Sequence, residues 1–179
     1  MAYLTRGEIL GFENSFRKSA SLQKSLRDQV IKNAQTKITV FISHSHKDSE
    51  LVEGVRILLS SFEVNAFIDW KDNSMPSPTD AQTAKILKKK IEDCEKFIII
   101  SSLNSKNSTW VPWELGFADK SKGLNNIAVL PVSESTEEWK GLEYMGLYSK
   151  IKTTSNDNYG IFKPGETNGT YLKSWLLTK

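Results

Sequence analysis

Ile38-Thr-Val-Phe-Ile-Ser-His-Ser-His-Lys-Asp48 joins a short apolar run, rich in β-branched residues, directly to a small polar segment. Such a run predicts a buried strand that feeds a loop. Beyond the loop, Leu51, Val52, Val55, Leu58 and Leu59 recur at helical intervals, and Asp48 stands where its side chain would cap the first turn. The local order is therefore strand, loop, helix.

The same alternation repeats toward the C-terminus. Asn65-Ala-Phe-Ile-Asp69 predicts a second strand, a polar loop containing proline runs through Thr79, and Ile86, Leu87 and Ile91 mark a second helix. Lys96-Phe-Ile-Ile-Ile-Ser101 is the most apolar strand in the chain, too continuous for a half-exposed edge, and residues 127–132 form a fourth candidate. Strands separated by helical patterns predict right-handed βαβ units and a central parallel sheet, an α/β fold. After Pro131 the signals thin: 148–154 reads as a short edge strand and 171–177 as a closing helix. Upstream, 5–32 is rich in Lys, Arg, Gln, Ser and Leu, with Leu22, Leu26, Val30 and Ile31 near helical spacing. The expected organisation is a helical extension over 1–36, the main domain over 37–155, and a segment over 156–179 packing on that same domain.

With 179 residues the chain has room for one substantial core and not for two domains without a linker. Hydrophobic residues at 39% and charged residues at 25% indicate a folded soluble protein. The net charge of +3 is small, and Lys88, Lys89 and Lys90, the one compact basic run, read as a solvated helix face, so no nucleic-acid partner is expected. Cys94 is the only cysteine, which excludes an internal disulfide and a cysteine-rich metal site and fits a reducing compartment. His44 and His46, the only histidines, lack a supporting cysteine or carboxylate pattern, so no metal is expected. The start of the chain does not read as a targeting signal and no apolar run approaches bilayer length, which predicts a cytoplasmic protein with no membrane partner.

In an open parallel sheet, ligands bind beyond the carboxyl ends of the strands. Three polar segments leave those ends, beginning at Ser43, Asp69 and Ser101. None holds a Gly-rich phosphate loop, which removes nucleoside-triphosphate hydrolysis and the dinucleotide fingerprint. In the third segment Trp110 and Glu114 are spaced i, i+4 and share a face if a helix begins near Thr109 or Pro112. An indole and a carboxylate would then open onto one cleft. Spacing alone favours the structural roles, with Glu114 in the first turn set against the helix dipole and Trp110 in the core.

Taken in order, these motifs resemble bacterial Toll/interleukin-1 receptor (TIR) domains. Residues 38–48 look like the family's first strand and loop, Phe67-Ile-Asp69 resembles the strand ending that leads into the BB loop, and Ser108-Thr-Trp-Val-Pro-Trp-Glu-Leu115 is similar to the Trp-x-x-x-Glu helix of NAD-consuming members. The resemblance covers residues 37 to 132. It implies a flavodoxin-like three-layer fold with a central parallel sheet of about five strands. It also implies cleavage of NAD at the nicotinamide–ribose bond, giving ADP-ribose or a cyclic isomer, with Glu114 at the family's catalytic position. Ser43, His44, Asp69 and Trp110 are the implied substrate-binding residues. Structural roles stand beside these: loop hydrogen bonding for Ser43 and His44, capping for Asp69, and core packing for Trp110. Trp113 and Phe117 read as helix-packing residues.

The implied partners are NAD itself, as substrate rather than cofactor, other copies through TIR–TIR contacts, and a separate effector that reads the nucleotide product, as in Thoeris antiphage defence. No cofactor is implied. Two other functions remain open, a non-enzymatic TIR interaction module and a nucleoside deoxyribosyltransferase-like enzyme. The chain departs from the family pattern in the BB loop, where Met75-Pro-Ser-Pro78 stands and no glycine occurs between Asp69 and Ala84. Proline fixes backbone angles that glycine leaves free, so the loop's gating and assembly roles do not carry over residue by residue.

Overall fold

The computed structural model describes residues 2–18, 38–69, 80–134, 139–154 and 158–178. The helical positions Leu22, Leu26, Val30 and Ile31 and the proline-bearing loop at Met75 lie outside the described residues. The chain runs β1 (Leu4–Thr5), α1 (Arg6–Lys18), β2 (Thr39–Ser43), α2 (Ser49–Ser60), β3 (Asn65–Phe67) and α3 (Ala81–Asp93). It continues through β4 (Lys96–Ser101), α4 (Trp110–Lys122), β5 (Ile127–Ser133), β6 (Ser149–Thr153), β7 (Tyr159–Phe162), β8 (Thr170–Tyr171) and α5 (Leu172–Leu177).

The strands lie in the order β3-β2-β4-β5-β6-β7-β8, with β1 paired to β5. Strands β3 through β6 are parallel throughout, the expected doubly wound sheet of the flavodoxin-like order. From β2 the chain steps outward to β3, whereas from β4 it steps the other way to β5. The crevice between the carboxyl ends of β2 and β4 is therefore the topological switch point.

Side chains alternate across the central strands and fill two cores. Val40, Ile42, Ile98, Ile100, Ala128 and Leu130 pack on one face with residues of α1 and α2. Phe41, Phe97, Ile99, Ile127 and Val129 pack on the other with α3 and α4. Burial on both faces explains why these strands read as continuous apolar runs. Phe41 stacks on Phe67 and on Phe97 of the neighbouring strands, with ring centroids 5.4 Å apart in both pairs.

The N-terminal segment enters the body of the fold. Leu4 on β1 and Ile9 on α1 are wholly buried, and Leu4 lies opposite Val132 of β5. Helix α1 starts on a capping box, in which the Glu8 carboxylate accepts from Thr5 N at 2.6 Å while Thr5 Oγ1 accepts from Glu8 N at 3.2 Å. It crosses α2 so closely that a Cβ at Gly54 would collide with the Ile9 carbonyl oxygen.

Two expectations need correction. The strand expected at the sheet edge, β6, is interior: it pairs with β5 on one side and with β7 on the other. Antiparallel β7 and β8 extend the sheet past it. Asp48 occupies the N-cap position of α2 but its side chain makes no cap bond. Its wholly buried carboxylate instead crosses to the loop after β4, accepting from Ser102 Oγ at 2.5 Å and Asn104 Nδ2 at 2.7 Å. A buried carboxylate is held by fixed side-chain donors, and those donors outcompete its own helix.

Candidate active site

The switch-point crevice gathers the expected residues from three elements distant in sequence. Ser43 is the last residue of β2, Asp69 follows β3, and Glu114 is the fifth residue of α4. Helix α4 begins at Trp110, so Pro112 falls in the first turn, where its missing N–H is harmless. Glu114 lies beyond the first turn, which removes the helix-dipole role as its reason for being there.

The Glu114 side chain turns inward and is only 3% exposed. Ser43 Oγ donates to its Oε2 at 2.5 Å, across 71 residues of sequence. Burial pushes the Glu114 carboxyl up to about 8; the Ser43 hydroxyl opposes that shift, and the Asp69 carboxylate adds to it. At neutral pH Glu114 is therefore mainly a neutral carboxylic acid, which a nearby positive charge would ionise.

His44 lies beside this pair. Its Nδ1 is 3.0 Å from the Ile42 carbonyl oxygen, a group that only accepts, so the ring proton sits on Nδ1. Nε2 then presents a lone pair. It is buried, has no hydrogen-bond partner among the described residues, and lies 3.5 Å from Asp69 Oδ1. Desolvation pulls the His44 pKa down, with Asp69 acting in the opposite sense. Two acceptors facing each other match a vicinal sugar diol, one hydroxyl donating to each.

Trp110 is partly buried and meets Trp113 edge-on at 5.4 Å. Trp113 and Phe117 stack one helical turn apart at 6.3 Å, with Lys88 of α3 over both rings. Those two bind α3 to α4, as helix packing requires. His46 stands in the short helical turn after β2, with its ring 6.2 Å from that of His44. Among the described residues, no three His, Cys, Asp or Glu side chains cluster as metal ligands, and no helix is long and apolar enough to cross a membrane.

Asp48, Ser102 and Asn104 were not singled out as site residues, yet they tie the β2 loop to the β4 loop and so fix the crevice walls. Only the Lys-Asp pair closing the first loop hinted at this, and it read as a cap.

A doubly wound sheet with a buried, proton-holding carboxyl at its switch point defines an α/β ligand-processing domain. The chain belongs to the TIR-domain family, whose profile matches residues 40–159. It is 33% identical over 134 residues to the "Probable 3' cyclic ADP-D-ribose synthase ThsB'" of Bacillus cereus (strain MSX-D12), covering 72% of this chain and 68% of that one. It is also 25% identical over 140 residues to the "Putative cyclic ADP-D-ribose synthase TIR2" of Cytobacillus dafuensis, covering 69% of this chain but only 37% of that longer protein.

Proposed function

We propose that this TIR domain cleaves the nicotinamide–ribose bond of NAD and closes the ADP-ribosyl group into a cyclic ADP-ribose isomer. The observation that carries the reading is the buried Glu114 carboxyl, hydrogen-bonded to Ser43 at the switch-point crevice. The names of both relatives support the same chemistry.

When the C1′–N bond breaks, its electron pair leaves with nicotinamide, which departs neutral, and positive charge moves onto the ribose. A carboxylate facing that charge stabilises it, and no general acid is needed for the leaving group. The cationic nicotinamide ring, on entering, draws the proton off Glu114 by charge attraction, so substrate binding and ionisation are coupled. Ser43 holds one carboxylate oxygen in place. A ribose diol would donate through one hydroxyl to His44 Nε2 and through the other to Asp69 Oδ1, and Trp110 frames the entrance. Attack on C1′ by an oxygen of the same nucleotide, its proton passing to Glu114, closes the ring; attack by water would give ADP-ribose. Exclusion of water by the burial around Glu114 favours closure.

In this reading the reaction needs no cofactor. The protein works in the cytoplasm, associates with further copies through TIR contacts, and passes its product to a separate effector in antiphage defence. The test compares wild type with Glu114→Gln, each incubated with NAD and separately with a deoxynucleoside. Nicotinamide release that disappears in the variant supports the proposal. Release of a free base from the deoxynucleoside, or no turnover even under assembly-promoting conditions, overturns it.

A further inference from the structure

A cleft of about 510 Å³ opens beyond the carboxyl ends of β4 and β5, and none of Ser43, His44, Asp69, Trp110 or Glu114 lines it. Its volume is within the range of small-ligand sites, roughly 300–1,000 Å³. Three cationic side chains, Arg6, Lys106 and Lys140, face it against one carboxylate, Glu134. Its apolar wall is made by Leu103, Val132 and Trp139, and Leu103 is 68% exposed there despite being a large aliphatic side chain.

The indole of Trp139 is held from several sides. Its Nε1 donates to the Ser101 carbonyl at 3.1 Å, Tyr3 packs at 5.8 Å, and a Cβ at Gly141 would collide with the ring, so only glycine admits it. Arg6 lies 4.0 Å from Asp48 Oδ1 and 3.9 Å from Glu50 Oε2, beyond hydrogen-bond length, so its fork keeps donors for a further acceptor. A fixed aromatic wall beside Lys106, Lys140 and the donors of the Arg6 fork matches an aromatic base joined to phosphate.

We propose that this cleft is a second, non-catalytic site for a nucleoside phosphate, whose base packs on Trp139 and Leu103 and whose phosphate is held by Arg6, Lys106 and Lys140. The site stands independently of the NAD-cleavage reading. Ser102 and Asn104 line it and also hold Asp48, so an occupant lies against the network that fixes the β2 loop.

Calorimetric titration of the full chain with AMP, adenosine and inorganic phosphate tests it. AMP is expected to bind wild type and Glu114→Gln with equal affinity, and to bind at least about tenfold more weakly to Lys106→Ala/Lys140→Ala and to Trp139→Leu. Lys140 is exposed and Lys106 only partly buried, so the lysine variant keeps its fold and decides the matter even if Trp139→Leu does not. Adenosine and phosphate alone are each expected to bind at least about tenfold more weakly than AMP. The proposal is overturned if AMP does not bind, if phosphate binds as tightly as AMP, or if the lysine variant binds AMP unchanged. A rise in KM for NAD that tracks the loss of AMP affinity would make the cleft an arm of the catalytic site and likewise overturn it.

Discussion

Replacing Glu114 by Gln should stabilise the protein in mild alkali while removing its activity. The carboxyl titrates near 8 in the folded protein against an ordinary value of 4.5, so the folded state binds more protons than the unfolded state between those pH values. Stability therefore falls as pH rises through that interval. At about 1.4 kcal/mol per pH unit the whole interval corresponds to about 5 kcal/mol. His44 acts in the opposite sense: its folded pKa is lowered, so its contribution grows with pH and is complete by 6.5, its ordinary value. The clean window lies above that. Between pH 6.5 and 8.5 wild type should lose about 2 kcal/mol relative to Glu114→Gln, which keeps the shape and has no charge to bury. Urea denaturation at intervals across the window, with the slope checked for constancy, measures the difference directly. Parallel profiles for the two proteins would refute the reasoning, because they would mean that Glu114 is solvated or already ionised in the fold.

The same proton governs rate: kcat/KM for NAD should rise about tenfold per pH unit below the Glu114 titration and level off near pH 8, and a profile that falls from pH 6 upward would contradict an essential carboxylate. Gly54→Ala should cost about 1–3 kcal/mol by pushing α1 off α2, read as a lower urea midpoint. Asp48→Ala removes the acceptor that Ser102 and Asn104 share and should cost about 1–3 kcal/mol for the stranded groups, with a lower kcat from a loosened crevice; unchanged stability would show that the network is ornamental.

The doubly wound order was legible because its inner strands are buried on both faces. The run from Lys96 to Ser101 has one reading, since no helix of that length carries three consecutive isoleucines into two separate cores. Beyond Pro131 the strands shorten, and β7, with Gly160 in its middle and only four residues, offers too little pattern to separate from loop, which is why β6 was taken for an edge. Some signals were present and unread: Thr5-Arg-Gly-Glu8 is a capping box that places the start of α1. For the site, the i, i+4 spacing of Trp110 and Glu114 defines a shared helix face but says nothing about depth. Whether a carboxyl is exposed or enclosed depends on what crosses over it, and Ser43 reaches Glu114 only because β2 lies beside β4 in the sheet. Asp48 misled for the same reason: local sequence offers it a helix N-terminus, whereas the donors that bind it come from the far side of the switch point.

The central claim is that Glu114 drives loss of nicotinamide and closure of the remaining nucleotide. Mass spectrometry of the products from NAD, for wild type and Glu114→Gln side by side, tests it most directly. The account predicts nicotinamide with a partner nucleotide one water lighter than ADP-ribose from wild type, and neither from the variant. The lighter nucleotide forming undiminished when Glu114 is replaced by Gln would contradict it.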